Sequence, residues 1–334
     1  MKIDIKRRWI VGALSAVAVA ASALLASSGA EAAWPERPVT IIVPAGAGGG
    51  TDATARLLAK QLQDELRQPF NVVNQPQASG LVGHTNISQA RPDGYTLGIL
   101  YPYYQFNLSG QSQLDHRSFA PIALYNMDPA ALSVAANSQF RTAREALDFI
   151  RANPGRVRMS CGGSCGGSWD LPLAGLLVRL GIDPRTIVMV PSGGAAPGLQ
   201  ELVSGGVEMI ACSLPEAAAL ISANRVRPLV VLASERAGNF PDVPTAREAT
   251  GEDHTGGAWR AVAGPPGLPA EVVEIMERTL ERIWRSDEFQ NAMRQRGFGL
   301  RWANSRDTAA FLLQHEREWT DGMTALGMVR RAPR

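Results

Sequence analysis

The stretch Val39-Thr-Ile-Ile-Val43, followed by Pro44-Ala-Gly-Ala-Gly-Gly-Gly-Thr-Asp52, decides the fold class of this 334-residue chain. A short β-branched run that stops at a proline and a glycine loop is typical of a buried strand. Beyond the loop, one face of a helix is marked by the spacing of Ala55, Leu58, Leu62 and Leu66. The order of strand, glycine loop and helix therefore predicts the first unit of an α/β fold.

The same alternation continues along the chain. Further strands are predicted at residues 70–73, 96–100, 157–160, 186–190 and 207–212, and an apolar stretch covers residues 259–263. Helices are predicted around residue 87 and at 142–152, 172–180, 196–203, 270–284 and 305–326. A βαβαβ unit in a doubly wound sheet pairs its third strand beside its first, so the strand ends near Cys161 and Cys212 should be neighbours.

The three cysteines are an odd number, which allows one disulfide bridge and one free thiol. Because the predicted strand pairing places Cys212 near Cys161, a bridge from Cys212 to Cys161 or Cys165 is one hypothesis, and three reduced or buried thiols are the alternative. The spacing of Cys161 and Cys165 without a nearby histidine is not that of a metal site. We expect neither a metal nor a cofactor.

The N-terminal segment has the features of an export signal. Basic residues precede an apolar run from Ile10 to Ala26, and Ala30-Glu-Ala32 supplies the small residues that a signal peptidase reads. We therefore expect residues 1–32 to be a cleaved signal peptide and the mature protein to be periplasmic. A transmembrane anchor is the alternative, since the apolar run approaches the shortest length of a membrane span.

The composition limits the function classes. The net charge is +2 at pH 7, with no basic excess and no acidic tail, so we expect no nucleic-acid partner. Hydrophobic residues make up 45% and charged residues 19%, which is ordinary for a globular protein. The length is sufficient for two domains of roughly 150 residues each.

The first glycine loop, which follows the strand at Val39–Val43, favours anion binding over nucleotide binding. A phosphate-cradling loop needs a lysine after its glycines, and a dinucleotide loop needs a glycine where Thr51 stands. A carboxylate site needs only backbone N–H groups at a helix start and a hydroxyl. A plain strand-to-helix turn is the alternative. The predicted ligand contacts are Ala47, Gly48, Gly49, Gly50, Thr51 and Asp52.

The second loop, Ser160-Cys-Gly-Gly-Ser-Cys-Gly-Gly-Ser-Trp-Asp170, matches the G-x-S-x-G pattern of serine hydrolases at Ser164. A hydrolase elbow requires a helix directly after the serine, whereas further glycines follow here. We favour a binding loop, and an exported serine hydrolase using Ser164 is the alternative. We interpret Asp170 as the cap of the next helix. The predicted ligand contacts in this loop are Ser160, Gly163, Ser164, Ser168 and Trp169.

Other loops at strand ends complete the predicted site, because ligands of open α/β sheets lie outside the carboxyl ends of the strands. We interpret His84 as structural and hold Arg260 as a secondary candidate, since it is the one basic residue near the expected crossover between domains. The remaining predicted contacts are Ser79, Gly80, Tyr101, Ser192 and Ser213.

Several motifs resemble a known family when taken in order. They are Trp34-Pro-Glu-Arg-Pro-Val39 with the first glycine loop, Arg91-Pro-Asp-Gly-Tyr-Thr-Leu97, Phe119-Ala-Pro-Ile122, Asn153-Pro-Gly155, Val190-Pro191 with Gly194-Ala-Ala-Pro197, Leu202-Val-Ser-Gly-Gly-Val207 and Phe240-Pro-Asp-Val-Pro-Thr245. The set is similar to that of the substrate-binding proteins of tripartite tricarboxylate transporters, also called Bug proteins.

The resemblance implies a type II periplasmic-binding fold, with two doubly wound α/β domains joined by two crossing strands. It places the first part of domain 1 at residues 33–130, domain 2 at 131–252 and the C-terminal part of domain 1 at 253–334. It implies a monomer that is not an enzyme and that delivers a small organic acid or amino acid to a two-component membrane permease. A ligand-sensing partner of a membrane kinase is the alternative.

Two departures from the family pattern lie in the second domain. The loop after Ser160 is longer than the family loop, and Pro172 stands where the family has a histidine. Ser192-Gly193 replaces a tyrosine-lysine pair. The resemblance therefore implies an intact carboxylate clamp at Gly48–Asp52 but does not imply a tricarboxylate ligand.

Overall fold

The computed structural model describes residues 34–325 and 327–330. The predicted signal peptide at residues 1–32 lies outside them. The strands are β1 (Val39–Val43), β2 (Phe70–Asn74), β3 (Thr96–Leu100), β4 (Ala120–Pro129), β5 (Ala131–Ala135), β6 (Arg158–Ser160), β7 (Val188–Val190), β8 (Met209–Cys212), β9 (Val226–Val231) and β10 (Gly257–Gly264).

The helices alternate with these strands along most of the chain. They are α1 (Gly50–Leu66), α2 (Leu81–Ser88), α3 (Tyr104–Leu108), α4 (Ala143–Ala152), α5 (Asp170–Arg179), α6 (Ala195–Ser204), α7 (Leu214–Ser222), α8 (Ala246–Thr250), α9 (Ala270–Arg285), α10 (Asp287–Gln295) and α11 (Ser305–Ala325). In the described part of the chain, no helix is both long enough and apolar enough to cross a membrane.

The strands form two five-stranded sheets, ordered β2-β1-β3-β10-β4 and β7-β6-β8-β5-β9. We call the first sheet with its helices the first lobe and the second sheet with its helices the second lobe. In each sheet the first three strands are parallel, and the next strand, β10 or β5, is antiparallel to both of its neighbours. The chain crosses between the sheets at Ala130 and again between β9 and β10. The predicted α/β architecture is confirmed.

The first strand and helix form as their sequences predict. Parallel strands covered on both faces need continuous apolar runs, and four of the five residues of β1 are buried between β2 and β3. The buried face of α1 contains Ala55, Leu58 and Leu62, while Leu66 is half-buried at the helix end. The helix begins at Gly50, where the glycine loop ends, so its unpaired N–H groups lie at the carboxyl end of β1.

The second lobe repeats this arrangement. Met159 of β6 and Met209 of β8 are fully buried beneath helices, and α4 begins at the predicted cap. The Thr142 hydroxyl accepts from the N–H of Glu145, and the Glu145 carboxylate accepts from the N–H of Thr142, which closes a capping box.

The disulfide prediction was wrong. Strands β6 and β8 are neighbours as expected, but Cys161 bridges Cys165 and leaves Cys212 as a buried free thiol. Gly162, with φ of 62°, turns the loop back so that the Cα atoms of Cys161 and Cys165 lie 5.2 Å apart. That separation is within bridging range. Burial raises the pKa of the Cys212 thiol, so this residue is a reduced, inert core side chain.

Candidate functional site

A small cavity lies where the two lobes meet. It has a volume of about 50 Å³, space for only a few water-sized spheres. The loops after β1, β2, β3, β6 and β7 line it, together with crossover strand β10 and the first turns of α6 and α7. Its lining residues are Ala45, Gly46, Gly49, Gly50, Thr51, Ser79, Tyr101, Pro102, Cys161, Gly162, Gly163, Ser164, Ser168, Trp169, Gly193, Gly194, Ala195, Ala196, Pro197, Glu216, Ala258 and Arg260.

The first glycine loop lines the cavity with Ala45 and Gly46 and again with its last residues. Gly49, Gly50 and Thr51 line it, whereas Ala47 and Gly48 are exposed. A Cβ atom on Gly50 would lie 2.7 Å from Nη2 of Arg260 and 2.8 Å from Oε1 of Glu216. Glycine at this position therefore lets the helix start approach two buried charged side chains.

Asp52 supports the loop from behind. Its carboxylate accepts from the N–H of Gly48 at 2.9 Å and from the amide of Asn74 at 3.0 Å, and it pairs with Arg56. Burial acts to raise the pKa of Asp52, but these hydrogen bonds outweigh it and lower the pKa. Asp52 therefore stabilises the glycine loop by hydrogen bonds and does not itself line the cavity.

The first lobe also contributes Tyr101 and Ser79. The Tyr101 hydroxyl donates to the carbonyl of Pro44 at 2.6 Å, and burial raises its pKa above the usual range. Gly80 lies behind this ring, because a Cβ there would meet the Tyr101 oxygen at 2.0 Å. The His84 ring is buried beneath it with Nδ1 3.0 Å from the Gly80 carbonyl, and burial lowers its pKa to about 4. A neutral His84 thus packs beneath the site.

The disulfide loop forms the opposite wall, with Gly163, Ser164, Ser168 and Trp169 in the lining. Asp170, the first residue of α5, is not the predicted helix cap. Its buried carboxylate accepts from the N–H groups of Gly166 at 2.6 Å and Gly167 at 3.0 Å, so it holds the shape of the loop. Burial raises the pKa of Asp170 to about 7, although these hydrogen bonds oppose the shift.

The bridged sulfurs and Asp170 lie within 4.8 Å of one another. A disulfide offers no thiolate to a metal ion, and the Asp170 carboxylate already accepts two backbone hydrogen bonds. This cluster is therefore structural.

The surroundings of Ser164 do not resemble those of a hydrolase nucleophile. Its hydroxyl accepts from the side-chain amide of Gln105 at 2.8 Å, and no histidine is among the described residues that line the cavity. A serine nucleophile needs a base within hydrogen-bonding distance. The helix begins six residues further on, at Asp170, which is also unlike a nucleophile elbow.

A buried charge cluster lies at the floor of the cavity. The Arg260 side chain, 1% exposed, pairs with Asp128 and also with Glu216, whose Oε1 is 3.3 Å from Nη2. Its Nε donates to the Thr51 hydroxyl at 3.1 Å, and Nη1 also donates to the amide oxygen of Asn126. The guanidinium of Arg260, on β10, therefore joins β4 to the starts of α1 and α7.

The environment of this cluster shifts two pKa values. Burial acts to lower the pKa of Arg260, but the carboxylates of Asp128 and Glu216 outweigh it, so the pKa rises and the guanidinium stays charged. Burial raises the pKa of Glu216; the Arg260 guanidinium opposes this shift and the Asp128 carboxylate adds to it.

Direct contacts join the lobes around the cavity. The N–H of Gly46 donates to the carbonyl of Gly193 at 3.1 Å, and the N–H of Gly50 donates to Glu216 at 3.2 Å. On the other side, the Trp319 indole N–H, on α11, donates to the carbonyl of Gly166 at 2.9 Å. These hydrogen bonds hold the two lobes together around the cavity.

Several predicted residues lie outside the lining. Ser160 is buried with its hydroxyl near Gly198, and the Ser192 hydroxyl donates to the carbonyl of Gly194 at 2.9 Å. The Ser213 hydroxyl lies 3.2 Å from Oε2 of Glu216 and takes part in the capping box of α7. The predicted residues outside the lining are Ala47, Gly48, Asp52, Gly80, Ser160, Ser192 and Ser213.

Sequence reasoning selected Ser192 and Ser213 in these two loops but not Glu216 or the first residues of α6, which line the cavity. The pattern Ser213-x-x-Glu216 signals a capping box, which explains the glutamate without any ligand. The sequence Gly193-Gly-Ala-Ala-Pro197 at the start of α6 was a usable signal, because it is a second glycine-rich helix start at a strand end. Arg260 was a secondary candidate and lines the cavity.

The chain is similar to known proteins over most of its length. A family model described as tripartite tricarboxylate transporter family receptor matches residues 54–328. A relative from Pseudomonas sp. (strain P51), the UPF0065 protein in the tcbD-tcbE intergenic region, is 31% identical over 279 residues, which is 79% of either chain.

Solved structures with bound ligands are also similar. MatC (Rpa3494) from Rhodopseudomonas palustris with bound malate has a TM-score of 0.78 at 26% identity, covering 86% of this chain and 99% of that one. Rpa4515 from the same organism with adipate has a TM-score of 0.81 at 26% identity, covering 89% and 99%. The predicted periplasmic-binding fold and family resemblance are confirmed.

Proposed function

Because the chain belongs to the tripartite tricarboxylate transporter receptor family, we propose that it is an exported solute-binding protein that captures a small carboxylate-bearing molecule between its two lobes. The observation that carries this proposal is the cavity between the lobes, which is lined by the first residues of a helix from each lobe. Helix starts present unpaired N–H groups to an anion.

The lining supports a binding role in detail. Hydroxyl groups of Ser79, Ser164 and Ser168 supply polar contacts, and Trp169 supplies an apolar wall. A few polar groups on an otherwise apolar surface orient a small ligand. The neighbours MatC and Rpa4515 carry malate and adipate, both carboxylates, which supports a carboxylate ligand here.

Closure of the lobes would couple ligand capture to recognition by a partner. The contacts Gly46 to Gly193 and Gly50 to Glu216 form only when the lobes approach, so a ligand that bridges both lobes favours the closed form. We propose a two-component membrane permease as the partner, periplasmic location after cleavage at residue 32, a monomeric state, and domains at residues 33–130 with 253–334 and at 131–252.

A thermal-shift screen of residues 33–334 tests the proposal. The protein is first unfolded and refolded to remove carried-over ligand and is then mixed with mono-, di- and tricarboxylates, amino acids and aromatic carboxylates. A ligand at about 100 times its dissociation constant should stabilise the fold by about 2.7 kcal/mol. Silence across the whole panel would contradict solute capture of carboxylates.

A matched pair of variants links the stabilisation to the cavity. Ala196→Glu puts a carboxylate into the lining within the first turn of α6, where a glutamate suits the helix. We expect it to abolish the ligand-induced shift and leave the melting temperature of the free protein nearly unchanged. Ala219→Glu, on the exposed side of α7, is the control and should keep the full shift.

A further inference from the structure

We infer that the cavity selects a ligand that carries a cationic nitrogen as well as a carboxylate, and that the Glu216 carboxylate receives the nitrogen. This inference rests on the proposed solute-binding function and specifies its ligand class. Within the described lining, Glu216 and Arg260 are the charged residues, so they set the charge that a ligand meets.

The charges of the cluster do not balance. One guanidinium, Arg260, faces two carboxylates, Asp128 and Glu216, and the three side chains are 1%, 0% and 5% exposed. The contact with Asp128 is the shorter of the two, and the Asn126 amide also accepts from Arg260. Asp128 thus neutralises most of the guanidinium charge, and Glu216 carries the excess negative charge. A buried, uncompensated charge is unfavourable.

Two carboxylates of the protein, those of Glu216 and Asp52, lie at the start of α1. The N–H of Gly50 donates to Glu216 at 3.2 Å, and Asp52 in the same first turn lowers the positive potential there. A ligand carboxylate placed beside Gly50 would meet Glu216 as a like charge. This end of the cavity therefore suits a cation that can donate to Glu216.

The start of α6 offers the opposite environment. Its first turn carries no acidic residue, and Gly194 at its N-cap position makes no side-chain cap hydrogen bond. Gly194, Ala195 and Ala196 all line the cavity, so the first N–H groups of this helix border it. A ligand carboxylate is stabilised here by the helix dipole without a competing side chain.

The two ends of the cavity therefore differ in charge: a protein carboxylate lies at the start of α1, and none lies at the start of α6. A short zwitterion matches both ends at once, with its ammonium group at Glu216 and its carboxylate at α6. A dicarboxylate of the same length would place its second negative charge against Glu216. A proton on Glu216 also removes the excess charge, and burial favours this by raising the pKa of the carboxyl. The affinity for dicarboxylates distinguishes a charged Glu216, which would repel them, from a protonated Glu216, which would not.

Isothermal titration calorimetry with length-matched probes tests the inference. The refolded protein, residues 33–334, is titrated with β-alanine against succinate and with 4-aminobutyrate against glutarate. An α-amino acid series extends the comparison to ligands with a shorter separation of charges. We expect the best aminocarboxylate to bind at least about tenfold more tightly than its matched dicarboxylate, as for a close desolvated charge pair.

The variant Glu216→Gln removes the charge and keeps the shape of the side chain. We expect the ratio of aminocarboxylate to dicarboxylate affinity to fall at least about tenfold in E216Q. Glu274→Gln, on the exposed face of α9, is the control and should keep the wild-type ratio. If E216Q does not fold, the wild-type ratio alone remains decisive.

The outcomes separate this inference from the function on which it rests. Tighter binding of dicarboxylates by the wild type, or an unchanged ratio in E216Q, would overturn the role of Glu216 while leaving solute capture intact. If no carboxylate of either kind binds, the solute-binding assignment fails and this inference fails with it.

Discussion

The backbone N–H of Gly50 donates to the Glu216 carboxylate at 3.2 Å across 166 positions of sequence. This hydrogen bond joins the first turn of α1 in one lobe to the first turn of α7 in the other. Arg260 reaches the same carboxylate from crossover strand β10, so three elements meet at one oxygen atom. The site therefore depends on the relative position of the lobes as much as on any single loop.

Gly50→Ala should weaken both the fold and ligand binding. The added Cβ would lie under 3.0 Å from Arg260 and Glu216, which are buried and hydrogen-bonded and cannot move freely. We expect a loss of about 1–3 kcal/mol in the free energy of unfolding, measured with urea. Gly238→Ala is the control, because a Cβ there has open space. Equal stability of the two variants would contradict the close approach at Gly50.

Arg260→Met should destabilise the protein strongly, because it leaves two buried carboxylates without their partner. We expect a loss of about 3–5 kcal/mol in the free energy of unfolding. Arg285→Met, which removes the exposed pair with Glu281, should cost less than about 1 kcal/mol. Adding Asp128→Asn to Arg260→Met should restore part of the stability, and a further loss in the double variant would argue against the charge cluster.

Thiol titration should find one reactive thiol in the unfolded, unreduced protein and three after reduction, because Cys161 and Cys165 are bridged. The folded protein should react slowly, since Cys212 is fully buried. Replacing both bridged cysteines by serine should lower the free energy of unfolding by about 2 kcal/mol, as for a very short closed loop. Three reactive thiols before reduction would rule out the bridge.

Asp170 should make stability pH-dependent. Its folded pKa of about 7 lies above the ordinary value of 3.8, so between these values the folded protein holds a proton that the unfolded chain has released. Stability conferred by the protonated group is complete below the unfolded pKa and is lost as pH rises through the folded pKa. Relative to Asp170→Asn, the wild type should lose up to about 4 kcal/mol over this window.

Urea unfolding of both proteins at about pH 4.5, 6 and 8 measures this difference. Asp321→Asn, on the exposed side of α11, is the control for removing a carboxylate. A difference between the wild type and Asp170→Asn that stays constant with pH would show that Asp170 ionises normally in the fold.

Much of the architecture followed from local sequence. The β-branched run at Val39–Val43, the capping box at Thr142 and the helix face through Leu58 and Leu62 are patterns of neighbouring residues, and the structure contains each of them. Local patterns predict elements because strand and helix periodicity is set by backbone geometry. The glycine loops were also identified correctly as neighbours, since strand ends of parallel sheets meet at one edge.

The sequence alone determined the α/β order, the family and the loops that border the cavity, because these depend on periodicity and on motifs in chain order. Only the tertiary structure decided which atoms face the cavity. In the structure, Asp52 and Ser160 lie behind the residues that line the cavity, and Cys161 is bonded to Cys165. The Glu216 carboxylate contacts both Arg260 and Gly50. The physical reason is that the partner of a buried charge depends on how the crossover strands and helices pack together. Local patterns of residues do not specify that packing.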